Sequence, residues 1–258
     1  MSITKYFFSF VLGVVFCFAQ NSTNEDFVLK DTDGNIYKTV KIGDQIWTIE
    51  NLKTTKFNDG TPILFAGKKV KRKHRRSPSY CWNDNDINNK DKYGALYNWY
   101  AVNTGKLAPK GWHVPTDDDW IKLERYLIEN GYNWDGTKEE DKIAKSLAAK
   151  SGWTLAKYEG RVGNNMQLNN KSGFSAVPSG WRNPKGKFGG IGKDAEWWCS
   201  VESYGKGSLS MKIGSGPWRK TNNEAMAYSY SISYCSNVLF RSRFTSKSCW
   251  YSVRLIRD

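Results

Sequence analysis

Apolar and polar positions change their period along this chain, and the change predicts a mixed architecture. From Phe27, the run FVLKDTDGNIYKTVKIGDQIWTIENL alternates over Phe27 to Lys30, Ile36 to Ile42 and Gln45 to Glu50, with the turn formers DGN and GDQ between them. A two-residue period broken by such turns predicts a β-meander. Tyr93 to Val102, YGALYNWYAV, places Leu96, Tyr97, Trp99, Tyr100 and Ala101 at spacings that predict a largely buried helix, with Gly94 weakening its first turn. The next helix has a defined start. In GWHVPTDDDW, Gly111 to Trp120, the proline ring pushes Val114 toward extended geometry and fixes the φ of Pro115. Thr116 can then cap the amides of Asp118 or Asp119, and Asp117, Asp118 and Asp119 sit where the helix dipole favours negative charge. Trp120, Leu123 and Leu127 share one stripe and Asn130-Gly131 is a stop, so this helix spans Asp117 to Glu129. A third helix is expected over about Glu139 to Lys150, presenting Ile143, Leu147 and Ala148.

Beyond Trp153 the pattern becomes short β segments punctuated by glycine: FSAVPSGWR, KFGGIG, AEWWCS, AMAYSYSISY and WYSVRLIRD. In the last, Tyr251, Val253 and Leu255 share one face while Ser252 and Arg254 share the other, the alternation of a half-buried strand. The order of these elements predicts an α+β fold whose part after Gly173 is mostly antiparallel sheet.

The N-terminus changes the cellular setting. Lys5 precedes the apolar run Tyr6 to Phe16, and Cys17-Phe18-Ala19 supplies small residues at the positions a signal peptidase reads. This predicts a secretory signal over residues 1–19, too short to span a bilayer, followed by a polar leader over 20–26 and a single domain over 27–258. The mature chain is then exported without a transmembrane helix, to the periplasm, the outer-membrane surface or the medium. Lipid attachment at Cys17 is the alternative, disfavoured by the bulky Phe16 before it.

Charge and cysteines narrow the function classes. The formal net charge is +14, which becomes +13 when Lys5 leaves with the signal, so the surface attracts polyanions. Seven of the nine residues in KKVKRKHRR are basic: Lys68, Lys69, Lys71, Arg72, Lys73, Arg75 and Arg76. Such a run stays in solvent, as a plain loop, a protease-sensitive site or a polyanion contact. Export excludes a nuclear signal, and no pattern indicates specific nucleic-acid recognition. Cys81, Cys199, Cys235 and Cys249 follow the signal, and an even count in an oxidising compartment permits two disulfides in any of three connectivities. Asp84, Asp86, Asn88 and Asp91 offer oxygens at near-alternate spacing that could hold calcium, although the same residues are turn and cap formers. Asp31, Asp33 and Asn35 pose the same choice, which the hairpin reading resolves without an ion. With two histidines and no HExxH, GxSxG or phosphate loop, no catalytic residue is assigned.

Seven stretches carry a family resemblance: WTIENLKTTKFNDGTPI from Trp47, YCWNDND from Tyr80, YGALYNWYAV from Tyr93, GWHVPTDDDW from Gly111, KSGFSAVPSGWRNPKGKF from Lys171, AEWWCS from Ala195 and YSVRLIRD from Tyr251. In this order, from about residue 28 onward, the chain resembles the Fibrobacter succinogenes major paralogous domain, a family of exported bacterial domains without an established activity. The resemblance implies a C-type-lectin-like fold, similar also to formylglycine-generating enzymes, with helices packed on small twisted antiparallel sheets. It implies that YGALYNWYAV and the stretch after Thr116 are the two helices, and that the terminal strand closes beside the first strands. The match has departures. The basic run after Gly67 replaces a short polar, Trp-containing segment, and Cys199, Cys235 and Cys249 fall where the family generally has no cysteine. Neither Cys235 nor Cys249 fits the paired-cysteine motif of formylglycine-generating chemistry.

These readings converge on an exported, non-catalytic binding or adhesion domain that recognises carbohydrate or another surface polymer. Sugar rings stack on exposed aromatic faces, so Trp181, Trp197, Trp198 and Trp218 are candidate ligand contacts, together with Arg182, with a place in the core the competing reading for each tryptophan. A structural surface protein contacting polyanions through the basic loop is the alternative, and a hydrolytic or modifying enzyme the third reading.

Overall fold

The computed structural model describes residues 28–68, 75–203 and 226–258. The expected signal and leader therefore lie outside the described residues. The meander forms as β1 (Leu29–Lys30), β2 (Ile36–Tyr37), β3 (Thr39–Ile42) and β4 (Gln45–Thr48). Its first turn is built by Asp31, whose carboxylate accepts the amides of Asp33 and Asn35 at 3.0 and 2.9 Å and the Tyr37 hydroxyl at 2.5 Å. The alternate oxygens of this stretch are turn chemistry.

After β5 (Leu64–Phe65) and β6 (Ser79–Trp82) comes a correction. The predicted helix over Tyr93 to Val102 is instead the end of a single turn, α1 (Lys90–Tyr93), a strand, β7 (Ala95–Asn98), and a second single turn, α2 (Trp99–Val102). All four residues of β7 are buried, because β6 and β14 flank it and both its faces are covered. An unbroken apolar run of this length carries no alternation to distinguish strand from helix. Gly94 makes the switch, with φ of 74° and a backbone so close to the Asn51 peptide that a Cβ would lie 2.7 Å from Asn51 Cβ.

β8 (Trp112–His113) leads into α3 (Asp117–Glu129), which has the predicted bounds. Thr116 and Asp119 form a reciprocal capping box, and Trp120, Leu123 and Leu127 are buried. The expected third helix is reduced to one turn, α4 (Ala144–Leu147). The Ala148 amide still bonds the Ala144 carbonyl, but the Ser146 and Leu147 carbonyls accept from Ser172 and Ala176 and the Ala149 amide donates to Ala176, so the ladder ends there.

The remaining strands are β9 (Ser179–Arg182), β10 (Phe188–Ile191), β11 (Asp194–Ser203), β12 (Met226–Ser233), β13 (Phe240–Ser246), β14 (Trp250–Tyr251) and β15 (Ile256–Arg257). They complete an α+β fold of three sheets: the pair β1-β2, the four-stranded β3-β4-β15-β8, and a nine-stranded sheet ordered β13-β12-β11-β9-β14-β7-β6-β5 with β10 on β9. The third is larger than the small sheets expected, and it is mixed, since β5-β6 and β9-β11 run parallel. Ile256 pairs with Trp47, so the terminal strand does close beside the early strands.

An aromatic cluster joins α3 to both large sheets. Trp120 stacks on Tyr230 at 4.8 Å between ring centres and lies 5.0 Å from Trp47 and 5.7 Å from Trp197. The C-terminal segment departs from the half-buried alternation predicted for it, because Ser252 to Ile256 are all buried. Arg254 lies inside the protein, donating to the carbonyls of Thr48, Phe174 and Ser175 and to Asn51 Oδ1.

Candidate functional site

The sequence candidates separate sharply in the structure. Trp197 and Trp198 are fully buried. Strand alternation puts Trp197 in the aromatic cluster, where its indole donates to Asn51 Oδ1 at 3.0 Å, and Trp198 on the opposite face, donating to the Tyr97 carbonyl at 2.7 Å. With ring and N–H both occupied, neither is a sugar platform, which corrects that expectation. Arg182 is also buried and is not a ligand contact. Its guanidinium donates to the carbonyls of Ala66, Gly67 and Gly186 and lies 4.8 Å from the Phe188 ring and 5.1 Å from the Trp250 ring. Trp218 lies outside the described residues, as do Lys69, Lys71, Arg72 and Lys73 of the basic run. Lys68 and Arg76 are exposed and Arg75 is half-buried.

The candidate calcium ligands serve local structure. Asp86 accepts the Asn88 amide at 3.0 Å as a cap, Asp91 pairs with Lys53 at 2.8 Å, and Asp84 sits in a left-handed turn with φ of 53°. No group of three or more His, Cys, Asp or Glu side chains is gathered for a metal among the described residues. The disulfide expectation is corrected too: Cys81, Cys199, Cys235 and Cys249 are not joined to one another. Burial pushes the Cys81 and Cys199 thiols up to about 12, so both stay protonated.

One expected residue, Trp181, is partly exposed, and the structure surrounds it with groups the sequence reading missed. On β11, Asp194, Glu196 and Trp198 project to one face while Ala195, Trp197 and Cys199 project into the core. Trp181 lies close enough to Asp194, as does Ser233 opposite it on β12, to favour the charged carboxylate, and the Tyr251 hydroxyl does the same for Glu196. Tyr251 in turn leans on Trp198 at 4.7 Å between ring centres. Gly190 makes room for this contact: with φ of 76°, any Cβ there would stand 2.8 Å from both Asp194 Oδ2 and Trp181 Nε1. The result is a shallow recess of indole, phenol, hydroxyl and two carboxyl groups, each mostly buried with an edge in solvent.

Its electrostatics are unusual for so basic a chain. Neither Asp194 nor Glu196 makes an ion pair among the described residues. Burial, opposed by the nearby Tyr251 hydroxyl and reinforced by repulsion from Asp194, pushes the Glu196 carboxyl up to about 7, and burial raises Asp194 as well. Near neutral pH, Glu196 therefore both donates and accepts hydrogen bonds. The missed signal was the alternation in DAEWWCS, which places both acids on the face away from Trp197.

A mixed-sheet α+β domain with such a recess is a class shared by many unrelated activities. The sequence comparison is more specific: the family model described as Fibrobacter succinogenes major domain matches residues 40–257. The chain belongs to that family. No curated protein and no solved structure matches it.

Proposed function

We propose that this is an exported, non-catalytic recognition domain of C-type-lectin-like architecture whose ligand is a neutral carbohydrate portion of a surface polymer. The observation that carries the reading is the partly exposed Trp181 indole beside Asp194, with Glu196 and the Tyr251 hydroxyl on the adjoining strands. Sugars present an apolar C–H face and a ring of hydroxyls, which an aromatic surface flanked by carboxyl groups complements. Two half-desolvated acids without a cation are costly in a folded chain, and hydroxyl donors from a ligand would satisfy them.

A glycan array probed with the full chain tests this. Wild type is expected to retain neutral glycans, and Glu196→Gln and Trp181→Ala, checked for folding by circular dichroism, to weaken binding about tenfold or more, the worth of one charge-assisted hydrogen bond or one stacking contact. No neutral glycan bound, or binding indifferent to both variants, would sink the reading. Release of reducing sugar from a bound glycan would overturn it in favour of hydrolysis, for which a carboxylic acid near neutral pKa is suited.

A further inference from the structure

Arg182 joins two parts of the chain that the sequence keeps more than a hundred residues apart. Its Nη1 and Nη2 donate to the carbonyls of Ala66 and Gly67, the latter at 2.7 Å, while Nε reaches the Gly186 carbonyl at 3.3 Å. The start of the basic run and the Asn183–Lys187 turn are therefore pinned to one guanidinium. The turn is closed by Asn183, whose side chain accepts the Lys185 and Lys187 amides at 2.9 and 3.0 Å. That leaves the ammonium groups of Lys185 and Lys187 exposed, next to exposed Lys68. The same margin carries edge strand β5, whose Leu64 and Phe65 are each 43 % exposed, an amount that places both side chains in solvent. Exposed Arg76 stands beyond its other end, because Ser79 is in register with Leu64.

The charge here is uncompensated. Residues 60–83 and 173–193 contain no Asp or Glu, and Lys68, Arg76, Lys185 and Lys187 enter no ion pair among the described residues. Elsewhere the exposed lysines Lys106 and Lys122 do find carboxylates, at 2.8 and 2.9 Å. We propose that Phe65, Lys68, Arg76, Lys185 and Lys187 form one composite docking surface for an acidic polysaccharide lying along the β5 edge. Its length, from Arg76 past Leu64 and Phe65 to Lys68, is on the order of 20 Å at strand rise. Cations spread over that distance match a polymer with about one charge per sugar unit. Nucleic acid is a poorer match, since a duplex packs one charge into each ~1.7 Å of axis. The exposed cations are mostly lysines, and the one guanidinium at the junction is turned inward, so the contacts are exchangeable point charges instead of bidentate forks. Phe65 supplies an aromatic surface for a sugar ring. Arg182 acts as a positioning residue.

This surface stands independently of the Trp181 recess, since successive residues on β9 put Trp181 and Arg182 on opposite faces of the sheet. The test uses the full chain with immobilised polygalacturonate and dextran sulfate at about 50 mM and 300 mM salt, with single-stranded DNA and phosphatidylglycerol vesicles as competitors. Wild type is expected to bind the acidic polysaccharides with strong salt dependence. The double variant Lys185→Glu/Lys187→Glu, altered only at exposed positions, should bind at least about tenfold more weakly, and its log–log salt slope should fall by about two. Lys68→Glu should weaken binding in the same direction, and Phe65→Ala should weaken it without changing the slope. Binding unaffected by the Lys185/Lys187 substitutions would overturn the proposal, as would tighter binding to DNA or to the vesicles. Neutral-glycan retention by the double variant should stay at the wild-type level, which separates failure of this surface from failure of the recess.

Discussion

His113, one of the two histidines of the chain, clasps the C-terminal segment to the start of α3. Its ring nitrogens face two carboxylates, Asp258 Oδ1 at 2.6 Å and Asp119 Oδ2 at 3.1 Å, and Asp119 Oδ2 also accepts the Thr116 amide at 2.8 Å and hydroxyl at 2.6 Å. The Asp119 bond, opposed by burial and helped by Asp258, raises the imidazole above its ordinary value of 6.5. Burial alone would raise Asp119, yet the bonds from His113 and Thr116 hold it down at about 2. The signs of these shifts set a pH window. The His113 contribution is complete below 6.5 and is lost as pH rises through the raised folded value. The Asp119 contribution is complete above 3.8 and is lost as pH falls toward about 2. The clasp is therefore strongest between those limits. His113→Gln should cost about 1 kcal/mol at pH 5.5, a modest figure because more than a third of the ring is in solvent, and much less at pH 9. Urea unfolding at the two pH values checks this, and an equal loss at both would contradict the clasp.

Among the elements, the junction at Gly94 is the most demanding. A methyl group there meets Asn51 Cβ at 2.7 Å and the Asn51 carbonyl at 2.9 Å, at a φ of 74°. Gly94→Ala should cost about 3 kcal/mol, well above the ~1 kcal/mol expected for Thr116→Ala, which removes one cap from α3. Chemical denaturation of the two variants side by side measures the ratio; a smaller loss for Gly94→Ala would refute the packing account. The comparison also marks where the sequence was readable. The α3 start is local chemistry, a Pro, a Thr and an Asp within five residues, and it was placed to the residue. The pairing of the terminal strand with the early ones followed from the family resemblance. β7 was misread because its burial on both faces depends on neighbours distant in the chain, β14 among them, which its own pattern cannot record. For the same reason the sequence left Trp197 and Trp198 open between core and ligand platform: the partners of their indoles, Asn51 and Tyr97, are 146 and 101 residues away. Of the candidate site, only Trp181 was anticipated, and its acidic neighbours were hidden in a strand whose second face went unread.

At the scale of the whole molecule, Arg254 ties the C-terminal segment to the rest, in a way composition argues against, since arginine is seldom buried unless paired. Its donors reach Thr48 at the end of β4, Asn51 beyond it, and Phe174 and Ser175 in the long connection before β9. Asn51 Oδ1 also accepts the Trp197 indole, so one hydrogen-bonded node links both larger sheets with the connection between them. Among the described residues no carboxylate bonds the guanidinium, and burial lowers it to about 9, still charged at neutral pH. Neutral carbonyls, with the Phe174 ring 4.6 Å away, offset most of the cost of desolvating it, so their number matters more than any one of them. Arg254→Met keeps much of the side-chain volume but leaves the Thr48, Phe174 and Ser175 carbonyls without this donor, at about 1–3 kcal/mol for each acceptor orphaned in the interior. The sum reaches several kcal/mol, a large share of the stability of a domain. Thermal denaturation followed by near-ultraviolet circular dichroism, which reports on the Trp47, Trp120 and Trp197 cluster, should show Tm lowered by more than about 10 °C or no folded baseline. Arg254→Lys should rescue little, because one ammonium cannot span acceptors that the planar fork reaches together. A Met variant with near-wild-type Tm would mean that the three carbonyls find other donors, and that the node does not bind the sheets together.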